Sequence, residues 1–178
     1  MKPARLICIL GAESTGKTTL AQALARHFDC PWVPEYLRQF CEEQGRTPRR
    51  EEQAQVLETQ VRCELEALEQ ARQQQAPFVF CDTAPLLTAI YSNYIFADTS
   101  LLPQGRALHA NYTLTLLLAP DIAWVADGLQ RDGAHVRAPV HRMIEQELAR
   151  LPLPVARISG QGPQRLAAAL AAVQQCEA

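Results

Sequence analysis

The chain has almost no lysine. Of its 17 basic residues only Lys2 and Lys17 are lysines; the other fifteen are arginines. It also lacks a block of like charge. Arginines and carboxylates are interspersed and the formal net charge is −2, which implies no general affinity for polyanions, so nucleic acid is not expected as a main partner. No apolar run approaches the ~18 residues that a membrane-crossing helix needs. The stretch Leu6–Leu10, preceded by Lys2 and Arg5, is too short for the apolar region of a secretory signal. The six cysteines (Cys8, Cys30, Cys41, Cys63, Cys81 and Cys176) form no CxxC pair, and no His/Cys cluster has zinc-site spacing. Reduced thiols in a cytoplasmic protein are the expectation. No internal repeat or low-complexity linker interrupts the 178 residues, which are 48% hydrophobic. One domain spanning 1–178 is therefore expected.

Against this background one lysine stands in a telling place. Gly11-Ala12-Glu13-Ser14-Thr15-Gly16-Lys17-Thr18 follows the apolar run Leu6–Leu10 and leads into Thr19-Leu20-Ala21-Gln22-Ala23-Leu24-Ala25. A strand, a loop with glycines at both ends, a lysine, a hydroxyl residue and a helix make the phosphate-binding P-loop pattern. Glycine lets the backbone approach phosphate oxygens without a Cβ in the way. Successive N–H groups and the positive helix end then face the phosphates. Gly11 to Thr19 are thus the candidate ATP contacts. Lys17 is expected to reach the β- and γ-phosphates, and the Thr18 hydroxyl to hold Mg²⁺.

The rest of the chain alternates strand and helix. Strands are expected at 6–10, near Trp32-Val33 between two prolines, at 77–83, 112–118 and 154–159. Helices are expected at 17–28, 36–43, 51–75, 85–96, 139–151 and 164–175. In the long helix Leu57, Val61, Leu65 and Leu68 read as the buried face. Alternation of this kind predicts an α/β fold: a three-layer arrangement with one parallel, doubly wound sheet.

Three segments carry candidate chemistry beside the P-loop. Glu35 follows the second strand, at the sheet edge where ligands bind in open α/β folds, and Arg38 lies one helical turn away. Asp82 ends the apolar run Phe78-Val79-Phe80-Cys81 as the carboxylate of a Walker B strand does, placed to bind Mg²⁺ directly or through water. Tyr91 and Tyr94 are candidates for a base-binding slot, although aromatics at helical spacing are more often core. Residues 124–140 hold two glycines around a polar, arginine-bearing turn. They read as a lid, from which Arg131 or Arg137 could reach a transferring phosphoryl group.

Together with the P-loop, the segments Glu35-Tyr36-Leu37-Arg38-Gln39-Phe40, Cys81-Asp82-Thr83 and Trp124-Val125-Ala126-Asp127-Gly128-Leu129 make the sequence resemble the NadR-like P-loop kinase domains, which phosphorylate ribosylnicotinamide, and their wider relatives labelled AAA-type ATPases. The resemblance covers about residues 4–160. It implies a nucleoside-kinase-like fold with strand order 2-3-1-4-5, and ATP and Mg²⁺ as cofactors. It also implies a nucleoside pocket with Glu35, Tyr36, Arg38, Tyr91 and Asp127 as candidate contacts. Glu35 would touch the sugar hydroxyls or help activate the attacking one; Asp82 would serve Mg²⁺ or act as base. Two positions depart from the pattern: Ala84, where such kinases often carry a second aspartate, and Pro34, where an aromatic can stack on nicotinamide. The expected activity is ATP-dependent transfer of phosphate to a nucleoside-like hydroxyl. The alternative is a regulatory P-loop ATPase acting on a protein partner.

Overall fold

The computed structural model describes residues 3–126 and 133–176. In chain order the elements are β1 (Arg5–Leu10), α1 (Lys17–Phe28), β2 (Trp32–Val33), α2 (Tyr36–Gln44), α3 (Gln53–Gln74), β3 (Phe78–Asp82), α4 (Pro85–Phe96), α5 (Leu102–His109), β4 (Tyr112–Leu118), α6 (Arg137–Leu148), β5 (Val155–Ile158) and α7 (Gly162–Gln175). Single 3₁₀ turns precede α3 and α6.

The strands form one five-stranded sheet in the order β2-β3-β1-β4-β5, and every neighbouring pair is parallel. Central strands of a parallel sheet are covered on both faces and so read as continuous apolar runs. β1 does so: Ile7, Cys8, Ile9 and Leu10 are fully buried. Their alternation divides the core. Ile7 and Ile9 join Phe78, Phe80 and Leu116 beneath Leu20 and Leu24 of α1 and Ala169 and Val173 of α7. Cys8 and Leu10 join Val79, Cys81 and Leu117 beneath α3, α4, α5 and α6. The Cys8 and Cys81 thiols are buried hydrophobes, and burial pushes both far up from the ordinary thiol range.

β2 has only two residues, and Pro31 and Pro34 confine it to the sheet edge, where a missing N–H costs nothing. The register decides where the site lies. Ile9 stands opposite Asp82 and Leu10 opposite Leu117. The loop leaving β1 therefore starts level with Asp82, at the carboxyl edge of the sheet.

Three elements differ from the sequence expectation. In α3 the buried residues are Gln53, Val56, Leu57, Thr59, Gln60, Glu64, Ala67 and Ala71, whereas Leu65 is 60% exposed and Val61 and Leu68 only half-buried. The buried face is turned by roughly 90° from the leucine stripe, as one-residue offsets on a helix of 100° per residue produce. The reason is that Gln60 and Glu64 have polar partners inside and so can occupy core positions. α5 has no counterpart in the sequence pattern, which Pro103 and Gly105 weaken. Gly105 belongs there because α5 lies against α4: a Cβ on Gly105 would stand 3.0 Å from Ala89 Cβ. α6 starts at Arg137, two residues early, and Val136 and Val140 are core residues. The C-terminal part of the segment read as a lid thus belongs to a packed helix.

Candidate active site

The P-loop closes on itself through local geometry. Gly16 takes φ +83° as the residue before α1, and Ser14 takes φ +55°. Gly11 is held by crowding, since a Cβ there would meet Thr15 Oγ1 at 2.8 Å and Leu118 at 3.2 Å. The Thr15 hydroxyl donates to the Ala12 carbonyl at 2.8 Å, and Lys17 Nζ reaches the same oxygen at 3.2 Å. Lys17 therefore lies folded over its own loop, where its ammonium faces any anion seated there. Thr19, in the first turn of α1, is exposed.

Asp82 ends β3 with 1% exposure. The Thr18 hydroxyl donates to its Oδ2 at 2.5 Å, while Oδ1 is buried without a hydrogen-bond partner among the described residues. Burial first, and the nearby Glu35 charge second, push the Asp82 carboxyl up to about 6; Lys17 and the Thr18 hydroxyl oppose the shift. The next residue, Thr83, adopts φ +81°. A β-branched residue in that region is strained, and such strain gathers at functional sites. It persists here because the Thr83 N–H is bonded to the Ile9 carbonyl at 3.0 Å. The turn sends the chain straight from β3 into α4 and drives Ala84 into the core with no exposure. A carboxylate at position 84 would have to be buried among apolar side chains.

Two cavities open at this edge. One follows the P-loop, lined by Ser14, Thr15, Gly16, Lys17, Thr18 and Thr19, with Glu35 and Arg38 on one side and Ile122, Ala123, Val125 and Ala126 on the other. The second is lined by Glu13, Lys17, Glu35, Leu37, Thr47, Pro48, Gln53, Leu87, Thr88, Tyr91, Ile95 and Phe96. Lys17 and Glu35 belong to both. The Thr83 hydroxyl lies 3.4 Å from Glu35 Oε1, and the Tyr91 hydroxyl donates to Glu13 Oε1 at 3.3 Å.

Of the sequence candidates, the structure brings together Glu13, Lys17, Thr18, Glu35, Asp82, Tyr91 and Arg38. Tyr36 lines neither cavity; its backbone N–H is bonded to Gln60 Oε1 at 2.9 Å. Tyr94 packs against the core, as does Trp32, which lies on the α1 face of the sheet, and Pro34 is exposed. Asp127 and Arg131 lie outside the described residues. Arg137 binds the Ser14 carbonyl at 3.2 Å and the Ile122 carbonyl at 2.7 Å, so it braces the P-loop from behind.

Arg165 was not anticipated. From the first turn of α7 its guanidinium, 5% exposed, bonds the carbonyls of Thr15, Gly160 and Ala119 and pairs with Asp121. The outward carbonyls of the P-loop are thus held by two arginines from distant segments. A second unanticipated feature lies behind Glu35. Gln60 and Glu64 run inward from the α2 N-terminus, and the Tyr112 hydroxyl donates to Glu64 Oε1 at 2.6 Å. Burial pushes Glu64 up to about 7. The available signal was polar residues at positions 60 and 64, one turn apart, within an otherwise amphipathic helix.

Among the described residues no group of three or more His, Cys, Asp or Glu could hold a metal, and no helix is long and apolar enough to cross a membrane.

Known structures share this architecture. A NadR protein in complex with NR superposes with a TM-score of 0.82 at 24% identity, over 97% of this chain and 51% of that one. NadR in complex with NAD and AMP-PNP gives 0.80 at 23%, over 97% and 49%. Thymidylate kinase from Ehrlichia chaffeensis gives 0.68 at 16%, over 98% and 99%. The chain therefore spans about half the length of the NadR structures and the whole of the thymidylate kinase. Comparison with curated protein sequences gives no match. The family model described as an AAA domain matches residues 6–165, and the chain belongs to that family.

Proposed function

We infer that this protein is an ATP-dependent kinase that transfers the γ-phosphate to a hydroxyl of a nucleoside-like acceptor, ribosylnicotinamide or a related nucleoside. One observation carries this reading: the P-loop cavity and a second, partly apolar cavity share Lys17 and Glu35. A regulatory ATPase acting on a protein partner needs the first cavity only. The reading is further supported by the likeness to NadR bound to NR and to AMP-PNP, and to thymidylate kinase.

In this arrangement the triphosphate lies along Gly11–Thr19, its charge met by backbone N–H groups, the start of α1 and Lys17. The acceptor enters between Tyr91 and Leu37 and presents its hydroxyl at the junction of the two cavities. Glu35 stands there with its carboxylate half-open to solvent, positioned to accept the proton that the hydroxyl loses. Asp82 is buried and already bound to Thr18, which suits a different task. The unpartnered Oδ1 of Asp82 and the Thr18 hydroxyl fit a hard cation whose remaining ligands are phosphate oxygens and water, so these two residues would hold Mg²⁺. When bound, that ion would neutralise charge on the β- and γ-phosphates. The lid reading, with Arg131 and Asp127 as contacts, rests on the sequence and excludes residues 134–140, which belong to the packed turn and α6.

The test follows γ-phosphate transfer from ATP across a nucleoside panel that includes ribosylnicotinamide. A phosphorylated nucleoside is expected, and Lys17→Ala should reduce its formation by about 10²–10³-fold, the usual loss when a charge-stabilising donor is removed. Hydrolysis to free phosphate with every nucleoside ignored would sink the kinase reading.

A further inference from the structure

We propose that Glu64 and Tyr112, which line neither cavity of the site, are positioning residues for the second one: they orient the Gln60 amide, which holds the first turn of α2 and so sets where Glu35 stands. The proposal rests on the kinase reading only for what that cavity accepts.

Three hydrogen bonds make the connection. The Tyr36 N–H, at the start of α2, donates to Gln60 Oε1 at 2.9 Å. Gln60 Nε2 donates to Glu64 Oε1 at 3.4 Å, and the Tyr112 hydroxyl donates to the same oxygen at 2.6 Å. Gln60, Glu64 and Tyr112 are all buried. The order of donors fixes the amide, because a glutamine side chain has one accepting end and one donating end. Glu64 Oε1, already turned toward the Tyr112 hydroxyl, takes the donating end, and the accepting end is left facing α2. The first N–H groups of a helix have no partner inside it. Glu35, the residue before α2, makes no side-chain cap bond to the helix. Gln60 supplies one of those partners from α3 instead, and it borders a small void together with Glu35, Leu37 and Thr83.

The sheet is bent locally to bring Tyr112 to this place. Along β4, Leu114, Leu116 and Leu118 share the core with α1 and α7, and strict alternation would send Tyr112 to the same side. Tyr112 lies instead in the core on the α3 side. The cause is a shift of register: Leu6 stands opposite Tyr112 but Ile7 opposite Leu114, so Thr113 is an extra residue in β4. Bulges are rare between parallel strands, and they re-aim side chains. Here one turns Tyr112 toward α3 and sets its hydroxyl on Glu64. An apolar side chain would fill the space without a partner, whereas a buried tyrosine hydroxyl needs one. The three polar groups therefore form one connected unit that runs from the third residue of the β1–β4 pairing edge of the core to the start of α2.

The experiment uses the full chain. Glu64→Leu combined with Tyr112→Phe replaces both partners by apolar groups and leaves no hydroxyl unpaired, which spares the fold. Hydrogen exchange of the Tyr36 amide is read by NMR, and KM is measured for ATP and for ribosylnicotinamide and thymidine as acceptors. The paired variant should speed Tyr36 exchange about threefold and raise the acceptor KM about threefold, the lower range for one hydrogen bond, with the KM for ATP unmoved. Glu64→Gln, which keeps an accepting oxygen for both donors, should retain wild-type values. Adding Gln60→Leu decides the route: in that background the paired variant should change the acceptor KM by less than about 1.5-fold, because its effect passes through Gln60. If Glu64 and Tyr112 only pack the core, the paired variant will lower the melting temperature with Tyr36 exchange unchanged, or its effect will multiply with that of Gln60→Leu. Either result overturns the proposal, as does a KM for ATP that rises in step with that for the acceptor. Faster Tyr36 exchange in a protein that phosphorylates neither nucleoside would support the hold on α2 and count against the kinase reading instead.

Discussion

The P-loop and the second cavity, on the proposed reading the donor and acceptor halves of the site, meet at Lys17 and Glu35, yet they are made of different material. The donor loop is backbone. Its carbonyls at Ala12, Ser14 and Thr15 are tied down by Thr15, Arg137 and Arg165. The acceptor cavity is side chain, drawn from the P-loop, the end of β2, the start of α3 and one face of α4. A backbone site is rigid and indifferent to what is attached to a phosphate. A side-chain site can be re-specified one residue at a time. The two halves should therefore respond differently to mutation.

The largest effect is expected at Arg165. Removing its guanidinium leaves the carbonyls of Thr15, Gly160 and Ala119 without their donor and breaks a pair with Asp121. Three lost hydrogen bonds of about 1–1.5 kcal/mol each come to about 3–5 kcal/mol; Asp121 is exposed and adds little, and in a chain of this size each kcal/mol lowers the melting temperature by about 2–4 °C. Arg165→Leu should melt about 6–20 °C lower and bind ATP more weakly, with acceptor affinity following only as far as the fold loosens. Thermal melting with separate titrations of ATP and acceptor would check this. Loss of acceptor affinity with ATP binding intact would break the comparison.

Glu64 is next, and it lies under the acceptor half. Its carboxyl is raised from 4.5 to about 7 by burial, against the Tyr112 and Gln60 hydrogen bonds. An acid with a higher pKa when folded binds more protons in the folded state. Its contribution is therefore fully present below about pH 4.5 and is lost as the pH rises to about 7. The shift corresponds to about 3 kcal/mol. Glu64→Gln keeps an acceptor for the Tyr112 hydroxyl and cannot ionise. It should flatten this slope and gain up to that amount above pH 7, read as chemical denaturation midpoints across pH. A wild-type slope that is already flat would mean that the Glu64 carboxyl is not held up by burial.

The same contrast explains what could be read in advance. The alternation of strand and helix, the P-loop pattern and the positions of Asp82 and Glu35 at the sheet edge are legible because each is local: a glycine pattern, an apolar run closed by a carboxylate, a residue directly after an edge strand between prolines; the sheet order follows from the family resemblance. Three things are not. Arg165 and Arg137 act on the loop from 150 and 123 residues away, and no spacing rule joins an arginine to a carbonyl at that distance. The α3 face is not legible because leucines outrank glutamine and glutamate in any hydrophobic pattern, whereas the fold buries Gln60 and Glu64 beside Tyr112 and leaves Leu65 in water. Position in the loop groups Glu13 with Ser14–Thr19, whereas in the structure it lines the second cavity and accepts from the Tyr91 hydroxyl.

The smallest effect tests the comparison most directly. Gln60 accepts the Tyr36 N–H at 2.9 Å and so fixes the first turn of α2, whose preceding residue is Glu35. The P-loop makes no use of this bond. Gln60→Leu keeps the volume and removes the acceptor, and a single hydrogen bond is worth about 1 kcal/mol net, or about fivefold in an equilibrium. The KM for the acceptor should rise about fivefold while the KM for ATP stays in place. If both rise together, α2 and the P-loop move as one body, and the separation of a backbone-built donor site from a side-chain-built acceptor site does not hold.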